Sequence, residues 1–89
     1  MKLTFDPAKD VLNVNKHGIS LGLAALADWA DALEWVDLRF DYGEPRMAGL
    51  VPLEGRIYLV AFVDRVATRR IISLRRANIR EVKRYAENH

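Results

Sequence analysis

The sequence predicts an α+β fold, a small antiparallel four-stranded sheet with two N-terminal helices and one C-terminal helix. Helix start and stop signals flank two stretches near the N-terminus. Four later runs between turn signals are predicted to be strands, and "RIYLVAFV" has the most β-branched and aromatic residues among them. The last stretch has apolar residues at spacings of three and four. Helices segregated from an antiparallel sheet are the usual α+β solution. The 89 residues are enough for one domain, so we expect a single domain over residues 1–89.

The N-terminal region contains a short strand-like run, "LTF", followed by two predicted helices. Asp6 is suited to cap the first helix, with Pro7 at its first position and Gly18 after its last. Three apolar residues are expected on its buried side: Val11, Leu12 and Val14. Ser20 is suited to cap a second helix, "LGLAALADW", whose side chains are nearly all apolar.

Four predicted strands follow as a meander. They are "ALEWVDL" (32–38), "RMAGLVP" (46–52), "RIYLVAFV" (56–63) and "RRIISL" (69–74). "FDYGEP" (40–45) is predicted to be a turn or loop after the first of them. Strict alternation along the last strand predicts two sets of side chains on opposite faces, Arg69, Ile71, Ser73 and Arg75 on one and Arg70, Ile72, Leu74 and Arg76 on the other.

The last predicted element is a helix with clear capping signals at its start. Asn78 can cap it, and Glu81 stands three residues later, which is a capping-box arrangement. Ile79, Val82 and Ala86 fall at helical spacing, with Tyr85 beside them, and form the apolar side that an amphipathic helix normally buries.

Charge is distributed unevenly along the chain. The net charge is +2, but residues 1–55 hold 5 basic and 9 acidic side chains, whereas residues 56–89 hold 9 basic and 3 acidic ones. Such asymmetry indicates a nucleic acid or an acidic partner, or else a basic face that pairs with an acidic face inside the molecule.

The composition also excludes several classes of protein. The chain has no cysteine, which excludes disulfides and thiolate metal sites and fits a reducing compartment. Its longest apolar run, "IYLVAFV", is too short to span a bilayer, and the N-terminus lacks a hydrophobic secretory core. We therefore expect a soluble cytoplasmic protein without a membrane partner.

Positive charge is densest in "RRIISLRRANIREVKRY", residues 69–85, where six arginines and one lysine accompany a single acid, Glu81. A solvated face is one interpretation, and a bound polyanion is the other. The planar fork of arginine suits phosphate. Arg75 and Arg76 stand just before the last helix, whose N-terminal amides attract anions, and Arg70 lies on the strand before them.

Two short motifs offer groups for acid–base chemistry. "NKHG" contains Lys16 and His17, the only histidine besides His89, and "GEPR" contains Glu44 and Arg46. Histidine is the usual acid or base near neutral pH, but a histidine at a helix end is also a common dipole partner. The sequence has no nucleotide-binding glycine motif and no metal-ligand spacing, so we expect neither a cofactor nor a metal.

Three segments together resemble the BrnT family of ribonuclease toxins. They are "FDPAKDVLNVNKHGIS", "GEPRMAGL" and "RRIISLRRANIREVKRY". They stand in the family's order, and the KHG and RIIS-x-RRA elements are the specific ones. The resemblance implies a RelE-like fold and a toxin that cleaves RNA and inhibits translation. It also implies a BrnA-type antitoxin of the ribbon-helix-helix kind, through which alone the toxin reaches operator DNA.

On this basis we predict a metal-independent endoribonuclease in which the ribose 2′-hydroxyl attacks the adjacent phosphate. His17 or Glu44 would transfer protons, and the cations would hold RNA and stabilise charge. The candidate catalytic residues are His17, Glu44, Arg46, Arg75 and Arg76, and the candidate RNA- or phosphate-binding residues are Lys16 and Arg70. Arg80 and Arg84 are expected on a solvated face or at an antitoxin contact. The alternative is a non-catalytic basic module that binds an acidic partner or a nucleic-acid backbone.

Overall fold

The computed structural model of the chain describes residues 1–39 and 43–88. Its elements are β1 (Lys2–Thr4), α1 (Pro7–His17), a first 3₁₀ segment (Leu21–Leu26), a second 3₁₀ segment (Trp29–Asp31), β2 (Leu33–Val36), β3 (Met47–Leu53), β4 (Arg56–Asp64), β5 (Thr68–Arg76) and α2 (Ile79–Glu87). The turn predicted over residues 40–45 falls partly on residues 40–42, outside the described residues. No helix in the described ranges is long and apolar enough to cross a membrane.

The strands form one five-stranded sheet in the order β1-β5-β4-β3-β2. The four predicted strands do make an antiparallel meander, β2 to β5. The prediction of four strands is wrong, however, because β1 joins as a fifth strand and runs parallel to β5, with Leu3 opposite Arg69. β1 is only three residues long, so its sequence shows no periodicity from which this pairing could be predicted. The pairing depends on the free edge of β5.

The helices agree with the prediction only in part. α1 begins where expected, with the Asp6 carboxylate accepting a hydrogen bond from Ala8 N at 2.9 Å. The predicted second helix is a 3₁₀ segment, and the 3₁₀ turn that follows it was not predicted. A 3₁₀ pitch aligns side chains three residues apart. It thereby buries both Leu21 and Ala24, each 1% exposed, against the sheet.

The hydrophobic core lies between the two 3₁₀ segments and one face of the sheet, which we call the core face. Its buried members are Leu21, Ala24, Val51, Leu53, Tyr58, Val60, Phe62, Ile71 and Leu74. Trp29, from the second 3₁₀ segment, packs edge-on against Phe62 with ring centroids 5.6 Å apart. Each strand from β3 to β5 therefore contributes to one continuous core.

Arg69 is buried on the core face and is 6% exposed. Its guanidinium lies 4.0 Å from the centroid of the Phe62 ring and forms ion pairs with Asp64 at 2.7 Å and Glu34 at 2.8 Å. Burial disfavours its charge, but the hydrogen bonds to Asp64 and Glu34 leave the pKa of Arg69 above its ordinary value. This arginine is thus paired internally, in line with the second interpretation of the charge asymmetry.

Asn13 fastens α1 to the edge of β5. Its side-chain amide donates to Leu74 O and to Ile19 O, both at 2.8 Å, and its Oδ1 accepts from Leu74 N at 3.1 Å. The amide thereby replaces the neighbouring strand that this part of β5 lacks. A buried backbone N–H or C=O must find a partner, so the contact fixes the position of the helix.

The prediction of which residues of α1 are buried is wrong. Val11, Leu12 and Val14 are 60%, 65% and 43% exposed, while Asn13 is 6% exposed. The hydrogen bonds of Asn13 set the rotation of the helix about its axis, and the hydrophobic pattern does not.

α2 begins with the predicted capping box. The Asn78 side chain accepts from Glu81 N, and the Glu81 carboxylate accepts from Asn78 N. The predicted inward side of this helix is wrong, because Ile79 is 75% exposed, Val82 is 41% exposed and Ala86 is also exposed.

Polar and aromatic contacts orient α2 against the body of the protein. The Arg84 guanidinium lies 4.0 Å from the centroid of the Trp35 ring, and the Tyr85 hydroxyl donates to Asp31 O at 2.7 Å. Glu81 reaches β5. These contacts turn the polar side of the helix inward, which outweighs the apolar spacing that predicted the opposite.

Replacing Asn13 with alanine should destabilise the fold strongly. The variant leaves the N–H and C=O of the fully buried Leu74 without their partners, at about 1–3 kcal/mol for each group. We expect the free energy of unfolding in urea to fall by at least about 2 kcal/mol. Asn15→Ala, an exposed position on the same helix, should change it little. Equal stabilities of the two variants would contradict the role of Asn13.

Candidate active site

A β-bulge in β5 decides which arginines face which way. Ser73 pairs with Ala61 whereas Ile71 pairs with Phe62, so Ile72 is an extra residue between them. Ile71 and Leu74, three apart, consequently both enter the core. The predicted strict alternation is therefore wrong after Ile71. The bulge transfers Ser73 and Arg75 to the opposite face of the sheet, which we call the groove face.

An open groove of about 850 Å³ lies on the groove face beside α1. Its floor consists largely of apolar side chains from three strands, Ala48, Leu59, Ala61 and Ile72. α1 supplies Lys9, Leu12, Asn13, Asn15, Lys16 and His17. Asp37, Arg39, Ser73 and Arg75 complete most of the lining. The groove combines an apolar floor with several cations, a pattern that suits a ligand with flat apolar parts and negative charge.

A smaller hollow of about 460 Å³ adjoins the groove and is lined by Lys16, His17, Gly18, Ile19, Tyr58, Arg75 and Arg76. Three of these residues, Lys16, His17 and Arg75, line the groove as well. We call Lys16, His17, Arg75 and Arg76 the cationic corner. Four of the seven predicted site residues, from two distant segments of the chain, meet there.

The end of α1 places the first two residues of the corner. Gly18 adopts a left-handed conformation, with φ of 71°, and its N–H donates to Val14 O at 2.8 Å. Glycine adopts this conformation without a steric penalty, so the helix ends directly after Lys16 and His17. One turn earlier, Asn13 holds the helix against β5. His17 therefore lies beside the arginines that end the strand.

The environment of His17 favours its neutral form. Burial lowers the pKa of this imidazole below its ordinary value of 6.5, and the nearby charges of Lys16 and Arg75 lower it further. A neutral imidazole among cations can accept a proton near neutral pH. The resulting imidazolium would be stabilised by any anion bound in the corner.

Arg75 is held in place by Glu81. Its Nη1 and Nη2 atoms donate to the two carboxylate oxygens of Glu81, both at 2.9 Å, and Nη1 also donates to Arg76 O. Burial raises the pKa of the Glu81 carboxyl, but the hydrogen bonds from Arg75 and Asn78 outweigh it and leave the pKa below 4.5. Because Glu81 also completes the capping box of α2, the start of that helix and Arg75 form one rigid unit.

The remaining predicted residues lie away from the cationic corner. Glu44 accepts a hydrogen bond from Arg65 at 3.1 Å on an exposed surface. The carbonyl oxygen of Arg46 accepts a hydrogen bond from Asp37 N at 2.7 Å. Neither residue lines the groove or the hollow.

Arg70 lies at the opposite end of α1, 3.9 Å from the N-cap residue Asp6. A helix rises about 1.5 Å per residue, so on the order of 15 Å separates this end of α1 from His17.

Sequence reasoning missed Lys9, Asp37 and Arg39 in the groove, and also the roles of Asn13 and Glu81 in placing the corner. Asp37 is 7% exposed and accepts two hydrogen bonds from the Arg39 guanidinium at 3.0 Å. The hydrogen bonds from Arg39 lower the pKa of Asp37, although burial opposes them. Asp37 and Arg39 are two residues apart in the sequence, and this spacing matches no recognisable motif.

The arrangement is suited to bind a phosphate and to move a proton beside it. Arginine forks and an ammonium group attract phosphate oxygens, and the imidazole can take a proton from a hydroxyl. Within the described ranges, no group of three His, Cys, Asp or Glu side chains is placed to hold a metal ion.

The chain matches a known protein family. Residues 5–81 of the 89 match the family described as the ribonuclease toxin, BrnT, of a type II toxin–antitoxin system. No curated protein matches the chain. The matched range contains α1, the whole sheet from β2 to β5 and Glu81.

Replacing Glu81 with glutamine should reduce stability in a pH-dependent way. The pKa of Glu81 is lower in the folded state, so its carboxylate stabilises the fold above pH 4.5, and this contribution is lost as the pH falls through the folded pKa. We expect Glu81→Gln to unfold at lower urea concentration than the wild type near neutral pH, with the difference shrinking below pH 4.5. The matched control is Glu87→Gln on the same helix, which removes a carboxylate that forms no salt bridge with another described residue and should change stability little at neutral pH. A difference that is independent of pH would contradict the pairing with Arg75.

Proposed function

The chain belongs to the BrnT ribonuclease toxins of type II toxin–antitoxin systems, and on this premise we propose that it is a metal-independent endoribonuclease with its active site at the cationic corner. The observation that carries the proposal is the convergence of Lys16, His17, Arg75 and Arg76 on one hollow. RNA cleavage by internal transfer needs a base, an acid and positive charge at the phosphate, and an imidazole with three cations can supply all of them.

The proposed reaction uses the ribose 2′-hydroxyl as nucleophile. His17 accepts the hydroxyl proton, a bond forms between O2′ and phosphorus, and the bond from phosphorus to the 5′ oxygen breaks. The products are a 2′,3′-cyclic phosphate and a 5′-hydroxyl, and the leaving oxygen takes its proton from the ammonium of Lys16. Arg75 and Arg76 stabilise the charge on the phosphate oxygens in the transition state.

The other predicted residues receive secondary roles in this proposal. Glu44 takes no proton-transfer step, because it is paired with Arg65 outside the hollow. Arg46 supports the strand end that carries Asp37. Arg70 serves RNA binding at a distance from the cleaved bond. The groove, with Lys9 and Arg39 on its lining, accommodates the nucleotides next to that bond.

The biological setting follows from the family. We propose that RNA cleavage inhibits translation in the cytoplasm and that the fold is RelE-like. The partner is a BrnA-type ribbon-helix-helix antitoxin, which neutralises the toxin and contacts operator DNA. Membership of a type II toxin family supports an antitoxin partner and an RNA substrate.

Replacing His17 with glutamine should abolish most cleavage while leaving the fold intact. We expect kcat/KM on a short RNA to fall by about 10²–10⁴, the usual contribution of a proton-transfer group. Because protonation inactivates a general base and the pKa of His17 is lowered, wild-type activity should be lost only below pH 6.5. Cleavage products, measured by gel and mass spectrometry, should carry the cyclic phosphate.

Two controls complete this experiment. His89→Ala, which removes the chain's other histidine, should cleave normally. Excess EDTA should leave the wild-type rate unchanged. Wild-type protein that binds RNA without cleaving it would instead support a non-catalytic binding module, and loss of activity in EDTA would refute metal independence.

A further inference from the structure

The outer side of α2 carries an apolar strip that nothing in the described structure covers. Ile79, Val82 and Ala86 form this strip, which we call the α2 strip. Ile79 is 75% exposed and Val82 is 41% exposed. Residues at spacings of three and four share one side of a helix, so the three side chains are contiguous. An amphipathic helix normally buries such a side.

The strip cannot turn inward without breaking three attachments. Glu81, Arg84 and Tyr85 occupy the opposite side of the helix and hold it to Arg75, Trp35 and Asp31, respectively. The outward direction of the strip is therefore built into the fold. Exposed apolar surface that is rimmed by polar residues marks interaction sites.

A hollow of about 220 Å³ continues the strip onto the sheet. Val82 lines it together with Ile57 and Ala77, and Arg56 and Arg76 also contribute. The apolar surface thus runs from the helix to β4 and ends in a depression that a side chain of a partner can enter.

Positive charge surrounds this surface. Arg56, Arg76, Arg80 and Lys83 lie on the hollow or beside the strip on α2, and none of them forms a salt bridge with another described residue. Glu81, which directly follows Arg80 on the helix, is already bound to Arg75. The surface therefore complements a partner that brings both apolar side chains and carboxylates.

We infer that the α2 strip and its hollow bind an acidic amphipathic segment of the cognate antitoxin. This inference rests on the proposed function for its partner and for the way in which binding neutralises the toxin, whereas the binding itself does not depend on the catalytic roles. A protein segment is favoured over RNA because aliphatic side chains such as Ile79 and Val82 pack against other apolar side chains, whereas RNA bases stack on aromatic rings and guanidinium planes. Binding there also explains neutralisation. Arg76 lines both this hollow and the cationic corner, so a carboxylate of the segment on Arg76 displaces the phosphate of RNA.

The test measures the affinity of the 89-residue chain for its co-encoded antitoxin by calorimetry. RNA cleavage is measured separately, without the antitoxin. Ile79→Asp should lower the affinity at least about tenfold. Aspartate at the first position of a helix is favourable, so this variant folds. Lys83→Glu should lower the affinity as well, and less so at high salt. The matched control is Val66→Asp, at a fully exposed apolar residue between β4 and β5, which should bind normally.

The variants should cleave RNA at the wild-type rate. Unchanged antitoxin affinity in both Ile79→Asp and Lys83→Glu would overturn the inference, and a fall in RNA cleavage with unchanged antitoxin affinity would reassign the surface to RNA. Failure of the proposed function is a separate result. In that case the wild type does not cleave RNA, whereas the antitoxin still loses affinity for Ile79→Asp.

Discussion

The hydrogen bonds between Asn13 and the edge of β5 are the constraint on which the candidate site depends. β1 covers only residues 68–70 of that edge, and farther along the strand the side-chain amide of Asn13 takes the place of a neighbouring strand. This contact positions α1, and α1 ends one turn later with Lys16 and His17. The same contact holds α1 where its side chains line the groove. Without it, α1 would lose the contact that fixes its position, because its apolar side chains Val11, Leu12 and Val14 are all exposed.

Two local features at the end of β5 set the orientation of the Arg75 side chain in the cationic corner. The bulge at Ile72 brings it to the groove face, and Glu81 then fixes its guanidinium in a bidentate pair. Arg69, six residues earlier on the same strand, faces the core and is neutralised by Asp64 and Glu34. One strand thus carries both a structural arginine and a candidate phosphate ligand. Arg69 is buried on the core face and paired with two acids, whereas Arg75 lies on the groove face and is paired with one, Glu81.

Much of the local structure could be predicted because its causes are local. The strand-like runs, the cap at Asp6, the end at Gly18 and the capping box of α2 all follow from short-range signals, and the structure confirms them. The parallel pairing of β1, the 3₁₀ pitch after Ser20 and the rotation of both helices could not be predicted. Each depends on a distant partner, such as Leu74 for α1 or Trp35 for α2.

The candidate site shows the same division. Lys16 and His17 stand far along the chain from Arg75 and Arg76, and no spacing rule connects them. Resemblance to a family singled out both motifs, and the fold brings them to one hollow. Asp37 and Arg39 escaped notice because a pair of opposite charges two residues apart is commonplace. Asn13 escaped notice because a buried asparagine on a helix is recognisable only when the strand edge beside it is known.

The most direct measurement of the central claim is the pKa of the His17 imidazole, followed by NMR in the wild type and in Arg75→Ala, with and without uridine 3′-monophosphate. We expect a pKa below 6.5 in the free wild type, a higher pKa in Arg75→Ala and a rise in the wild type when the phosphate binds. A pKa that neither the substitution nor the nucleotide changes would contradict the placement of His17 in one electrostatic site with Arg75.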